Sequence, residues 1–183
     1  MTNSQLIIAF LVIAFFVWRF SSIAGRLDRV HIRRDQAAIS LELQLARRAS
    51  SVSKLLVLNL LDPVSANILA EEVERVTTAA ERSQSEYIFA ESEFTKALVA
   101  VFDDADAVAE LAAATDTRSI LSDLAQACRR VQLARRFHND AVGAAQLLHR
   151  RKVVRWFRLA GHTDVPTALD MDDSVPVGLE IFA

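Results

Sequence analysis

The densest group of polar side chains in this chain is Arg135-Arg136-Phe137-His138-Asn139-Asp140. An imidazole flanked by guanidinium, amide and carboxylate groups suits a proton-active or ligand-holding site. It suits better a polar lock that fixes the register of packed helices. His138 falls on an apolar helical stripe, so burial obliges it to find partners. Arg47 and Arg48 form a second basic pair, and with Arg34 they can meet Glu81, Glu86 or Glu91 if the intervening chain forms a hairpin. These groups can guide pairing without performing any reaction.

Other chemistry has little support. The histidines stand at 31, 138, 149 and 162, with no i, i+4 pair and no Glu-x-x-His pattern, so no metal ligand set is expected. The single cysteine, Cys128, excludes an internal disulfide and a cysteine cluster, and its setting LAQACRRV fits a buried, inert thiol. The sequence contains no Gly-rich phosphate loop and no G-x-S-x-G. Without a recognisable nucleophile–base pair, the expectation is a non-enzyme with no cofactor.

The elements that position these side chains are helical. Gly and Pro are scarce, at four and three, and apolar residues recur in steps of three and four. Helix one carries Leu27, Val30, Ala37, Leu41, Leu45, Ala49, Val52, Leu56 and Leu60 on one stripe. Asp62-Pro63 ends it and starts helix two, with Asp as cap and Pro in the first turn. Helix two holds one register from Leu69 to Val101 with Ser83 as its only polar member; it is expected as one helix of about forty residues, with two helices joined near Ser83–Ser85 as the alternative. Asp103 to Asp106 form a turn with capping chemistry, and a short helix follows. Helix three carries Ile120, Leu124, Ala127, Val131, Ala134, His138, Ala141, Ala145 and Leu148, a seam like that of a coiled coil.

The first two dozen residues are of another kind. Leu6 to Trp18 contains no polar side chain, and the run extends from Gln5 to Ala24 with Arg19 as its only charge. About 20 mostly apolar residues suffice for a spanning helix. The five residues before Leu6 carry no Lys or Arg, whereas Arg19, Arg26, Arg29, Arg33 and Arg34 follow. A cleaved signal peptide has the opposite layout. The pattern fits an uncleaved single-pass anchor in the cytoplasmic membrane, with its N-terminus outside and its body in the cytoplasm.

Charge is segregated along the body. Arg19 to Leu61 holds eight basic and three acidic residues, Asp62 to Glu110 three and twelve, and Thr117 to His162 ten and two. Neighbouring elements can therefore neutralise one another, which leaves no unpaired basic face for nucleic acid. The segment 149–162 is basic and aromatic, with Trp156 at its centre, and is expected to fold back as a cap more readily than to lie on a membrane. Residues 163–183 are acidic and aperiodic and read as a flexible tail, with Met171 and Phe182 as possible docking points.

Two stretches carry a resemblance. Gln44-Leu45-Ala46-Arg47-Arg48-Ala49 and Ala134-Arg135-Arg136-Phe137-His138-Asn139-Asp140-Ala141-Val142, behind an N-terminal anchor, are similar to the LemA family of bacterial membrane proteins. That family usually has Tyr where this chain has His138. The likeness spans roughly residues 19–142, and the Arg-Leu-Ala-Gly-His and Asp-Asp features of the C-terminal part look like an actinobacterial-type subgroup. It implies an antiparallel helix bundle, an N-out/C-in topology and no catalytic residues.

The expected architecture is thus all-α: an anchor over 1–24, continuous with a three- or four-helix bundle over 25–162, and a tail over 163–183. The expected role is a membrane-anchored scaffold or adaptor, bound to the bilayer through residues 5–24 and to a protein partner or to further copies of itself. A self-assembling membrane organiser and a ligand-binding or enzymatic module around His138 are the alternatives. Arg47, Arg48, Arg135, Arg136, His138, Asn139, Asp140 and Trp156 are the candidate interaction residues.

Overall fold

The computed structural model describes residues 3–149 and 167–182, apart from some side chains near either end of the first stretch. Among the described residues the chain forms five α-helices and one 3-10 helix, with no strand. These are α1 (Asn3–Val57), α2 (Pro63–Ala80), α3 (Gln84–Phe102), α4 (Ala105–Leu111), α5 (Thr115–His149) and the 3-10 helix Val177–Phe182. Among the described residues no helix is long and apolar enough to cross a membrane. The chain divides into two compact units, Met1–Ala37 with Asp140–Ala168 and Ala38–Asn139 with Leu169–Ala183.

The larger unit is a bundle whose turns can be traced to individual side chains. α1 ends in a Schellman arrangement, in which the Leu60 N–H bonds the Leu55 carbonyl and the Asn59 N–H bonds that of Leu56. Asn59 takes the left-handed conformation this requires, at φ 50°, a role that falls to Asn in the absence of Gly. Asp62 then caps α2 by accepting from the N–H groups of Val64 and Ser65 at 2.9 and 3.1 Å, and Pro63 opens the helix. Hydrogen bonds from Ser65 lead the effects that hold the Asp62 carboxyl below its ordinary range.

The expectation of one continuous second helix is corrected here. The chain breaks between Ala80 and Gln84, and α3 packs back against α2. Ser83 adopts an extended conformation and accepts from the Glu86 N–H at 3.3 Å. The sequence Ser83-Gln84-Ser85-Glu86 has the spacing of a capping box, so the polar residue that interrupts the apolar register is a helix start. Asp104 repeats the device for α4, accepting from Asp106 and Ala107.

The break sets the direction of everything after it. Ala38, Leu41 and Leu45 share one cleft with Ala80, Gln84 and Tyr87, whereas Leu60 and Leu61 share another with Val101 and Phe102. Over this part of α1, then, α2 runs antiparallel to it and α3 runs in the same direction as it does. Leu41 and Leu45 cluster with Val131 and Ala134, while Val52 and Leu55 cluster with Leu121 and Leu124, so α5 runs back again. Four long helices alternate in direction, and the short α4 makes the last crossing.

Of the expected flexible tail with docking points at Met171 and Phe182, the described residues show the docking: Leu169–Phe182 runs along the bundle, with Met171 and Leu179 buried in its two apolar clusters and Phe182 packed against one of them. Gly178 permits the closest approach. A Cβ there would lie 2.5 Å from the Phe102 carbonyl oxygen and 2.8 Å from Val108 Cγ2.

In the other unit the C-terminal part of α5 buries Val142 and Ala145. On the N-terminal part of α1, Ile7, Phe10, Leu11, Val12, Ile13, Phe15 and Trp18 are all exposed. Phe15 and Trp18 place their rings 6.3 Å apart. Arg34 bonds its neighbour Asp35 through Nε and Nη2, at 2.9 and 2.6 Å.

Candidate functional site

α1 places Arg48 in the interior of the larger unit, where its side chain is 1% exposed. A guanidinium so fully desolvated must be paired and hydrogen-bonded, and α3 supplies both needs. Arg48 Nη2 lies 2.6 Å from Glu91 Oε2, and Nη1 donates to Thr95 Oγ1 at 2.9 Å. The Phe94 ring lies 5.1 Å from the guanidinium carbon, within cation–π range. Glu91 and Thr95 are four residues apart, so one face of α3 presents both partners.

The same group reaches the C-terminal segment. Thr95 Oγ1 stands 2.9 Å from both the Glu91 and the Asp172 carbonyl oxygens, either of which accepts its single proton. The Ser92 hydroxyl accepts from the Asp172 N–H. Burial pushes the Asp172 carboxyl up, but hydrogen bonds from the Ser174 N–H and hydroxyl, with the charges of Lys96 and Arg48, outweigh it and hold the group below its usual range.

From α5, Arg135 grips Asp173 with two bonds, Nε to Oδ2 at 2.6 Å and Nη2 to Oδ1 at 3.0 Å. Asn139 pairs with the backbone of Leu169 as a strand would, donating to its carbonyl at 3.0 Å and accepting from its N–H at 2.8 Å. Four residue pairs, two from α3 and two from α5, thus tie the last described segment to the bundle.

Beside this lock lies a cleft of about 600 Å³. Its apolar wall includes Leu41, Leu45, Ile88 and Met171, and its polar lining includes Glu42, Tyr87, Glu91 and His138. Burial, followed by the charge and hydrogen bonding of Glu91, holds the Tyr87 phenol far above its ordinary range, so it remains a neutral hydroxyl. Glu91 Oε1 and Arg48 Nε are both buried. Glu91 belongs to the cleft lining and Arg48 does not.

Of the residues singled out in the sequence, the structure therefore brings Arg48 into the interior lock, sets Arg135 and Asn139 against the C-terminal segment, and places His138 in the cleft. Arg47, Arg136 and Asp140 are exposed, and Trp156 lies outside the described residues. Cys128 is buried, and burial raises its thiol, as expected of an inert position. Thr95, Tyr87 and Asp173 escape the sequence reading. For Tyr87 and Thr95 the one signal is the step of four through Tyr87, Glu91 and Thr95; Asp173 lies in aperiodic chain and has none.

Among the described residues no group of three or more His, Cys, Asp or Glu side chains is placed to hold a metal ion. Comparison of the chain with models of protein families, with curated proteins and with solved structures finds no match.

Proposed function

We propose that this chain is a membrane-anchored helical adaptor of the LemA type, which acts by holding a helix bundle at the cytoplasmic face and not by catalysis. The observation that carries the reading is the set of exposed apolar side chains around one stretch of α1, Ile7, Phe10, Leu11, Val12, Ile13, Phe15 and Trp18. So large a patch on one helix is costly in water and marks a membrane or protein contact. The described residues alone supply no spanning helix; the reading adds the sequence itself, in which Gln5 to Ala24 contains one charge. The basic residues that follow favour an N-terminus outside and a cytoplasmic body.

Support for an adaptor comes from the bundle's finish. Its buried charges are paired, its C-terminal segment is docked, and α1 and α5 still expose Ile39, Leu43, Leu133 and Phe137. Rigid helix faces with apolar side chains are suited to protein partners. The test is affinity purification of the tagged protein from gently solubilised membranes, followed by native mass measurement. The expected result is a discrete complex with a second protein. Recovery as a bare monomer would contradict the reading, and a homo-oligomer would favour the self-assembling alternative.

A further inference from the structure

We propose that α1 pairs, side by side and in the same direction, with α1 of a second copy of this chain, through the outward face that carries Ile39, Leu43, Ala46, Ser50 and Val57. This goes beyond the adaptor reading and does not depend on it.

The seam is the first argument. α1 buries Leu41, Leu45, Arg48, Val52 and Leu55 in the bundle. At about 100° per residue, that stripe lies on the opposite side of the helix from Ile39, Leu43, Ala46, Ser50 and Val57. These five recur at steps of four, three, four and seven and all are exposed, Ile39 by 66% and Val57 by 77%. A bundle helix ordinarily turns a polar face to water. A second, outward stripe at this period is the form of a helix that meets another helix there. The small side chains of Ala46 and Ser50 let the two backbones come close.

The flanks of the seam select the partner. Glu42 borders it on one side, Arg47 and Lys54 border it on the other, and all three are exposed. Elsewhere on the surface Arg75, Arg82 and Lys96 each pair with a carboxylate three or four residues away. Neither Glu42 nor Arg47 has an opposite charge at that spacing on its own helix. They stand five residues apart, the separation at which charges on two parallel helices face one another across a seam. Glu42 of each copy then meets Arg47 of the other. In the sequence the register continues upstream, with Ile32 in the seam, Asp28 and Asp35 on the acidic flank and Arg33 on the basic one. Antiparallel helices would set acid against acid and base against base, which is unfavourable. A second copy running in the same direction is the occupant these charges fit. Leu133 and Phe137 belong to α5 and not to this face, so the adaptor complex can hold two copies of this chain beside a second protein.

The test expresses the full chain with Ser50→Cys or with Ile39→Cys, breaks the cells in the presence of copper phenanthroline, and runs the oxidised chain on a denaturing gel without reductant. The native thiol, Cys128, is buried. Both variants are expected to give a disulfide-linked species of twice the chain mass, whereas Thr77→Cys, exposed on α2, is expected to stay single. Positions 39 and 50 lie about 16 Å apart along the helix, so an antiparallel pair brings at most one of them to its counterpart. Adding Glu42→Arg to Ser50→Cys is expected to slow the cross-link by at least about threefold, and adding Arg47→Glu as well is expected to restore it. All the altered side chains are exposed, so the fold is not at stake. Cross-linking at neither or only one of positions 39 and 50, or equal cross-linking of Thr77→Cys, would overturn the proposal. So would a charge reversal that has no effect or is not restored by the second one. A mixed disulfide with another protein, in place of the doubled chain, would assign the face to that protein and overturn it as well.

Discussion

Two kinds of Arg–Glu pair in this protein have nearly the same geometry and different meanings. Arg48 and Glu91 meet at 2.6 Å with each side chain 1% exposed, while Arg75 meets Glu71 at 2.8 Å with exposures of 44% and 72%. The surface pair sits on one turn of α2 and is screened by water, so it contributes at most about 1 kcal/mol. The interior pair joins α1 to α3 across 43 positions of sequence and connects through Thr95 to the C-terminal segment. Its desolvation offsets much of its attraction, so its value lies in what happens when one partner is lost. Distance alone does not distinguish structural from ornamental ion pairs; burial and further hydrogen bonds do.

The largest expected effect follows from that asymmetry. Arg48→Ala should strand the Glu91 carboxylate and destabilise the bundle by about 3–5 kcal/mol in denaturant titration. The double variant Arg48→Met with Glu91→Leu should recover most of the loss, since apolar residues of similar size need no partner. If the double variant is no better than the single one, the pair itself supplies net stability and the comparison fails. Next is Asn139→Leu, which removes both bonds to the Leu169 backbone. A loss of about 1–3 kcal/mol is expected, with earlier proteolysis of the C-terminal segment. Unchanged stability would mean that burial of Met171 and Leu179 docks the segment without it. Smallest is Arg75→Ala, expected to shift stability by less than about 1 kcal/mol and to lose even that in high salt.

The same contrast explains what was legible in the sequence. Helix identity was legible because periodicity reports burial directly, as in the Ile120 to Ala145 seam of α5. Asp62 was legible as a cap, and Asp103 to Asp106 as a capping turn, because Asp before a periodic run has a local mechanism; which of its carboxylates caps α4, Asp104, is seen only in the structure. The break at Ser83 was legible only as the less favoured alternative, since an apolar stripe continues in register across it and outweighs the capping box. In the C-terminal segment Met171 and Phe182 were legible as docking points and the polar ties were not. Its contacts are made by single residues to distant partners, Asp173 to Arg135 and the Leu169 backbone to Asn139, and aperiodic chain gives no pattern from which to read them. In the lock, Arg48 and Glu91 could be named as potential partners from their charges, but the hydroxyl of Thr95 that completes the group could not.

The central claim is that residues 5–24 hold this helical body at a membrane. The most direct test is to wash membranes carrying the full chain with alkaline carbonate and to compare it with a variant bearing Phe10→Arg and Ile13→Arg. At the centre of a spanning helix each arginine costs about 2.5–3.5 kcal/mol on insertion scales. The account predicts that the native chain sediments with the membranes and that the variant is released into the supernatant. Release of the native chain by the same wash would contradict it.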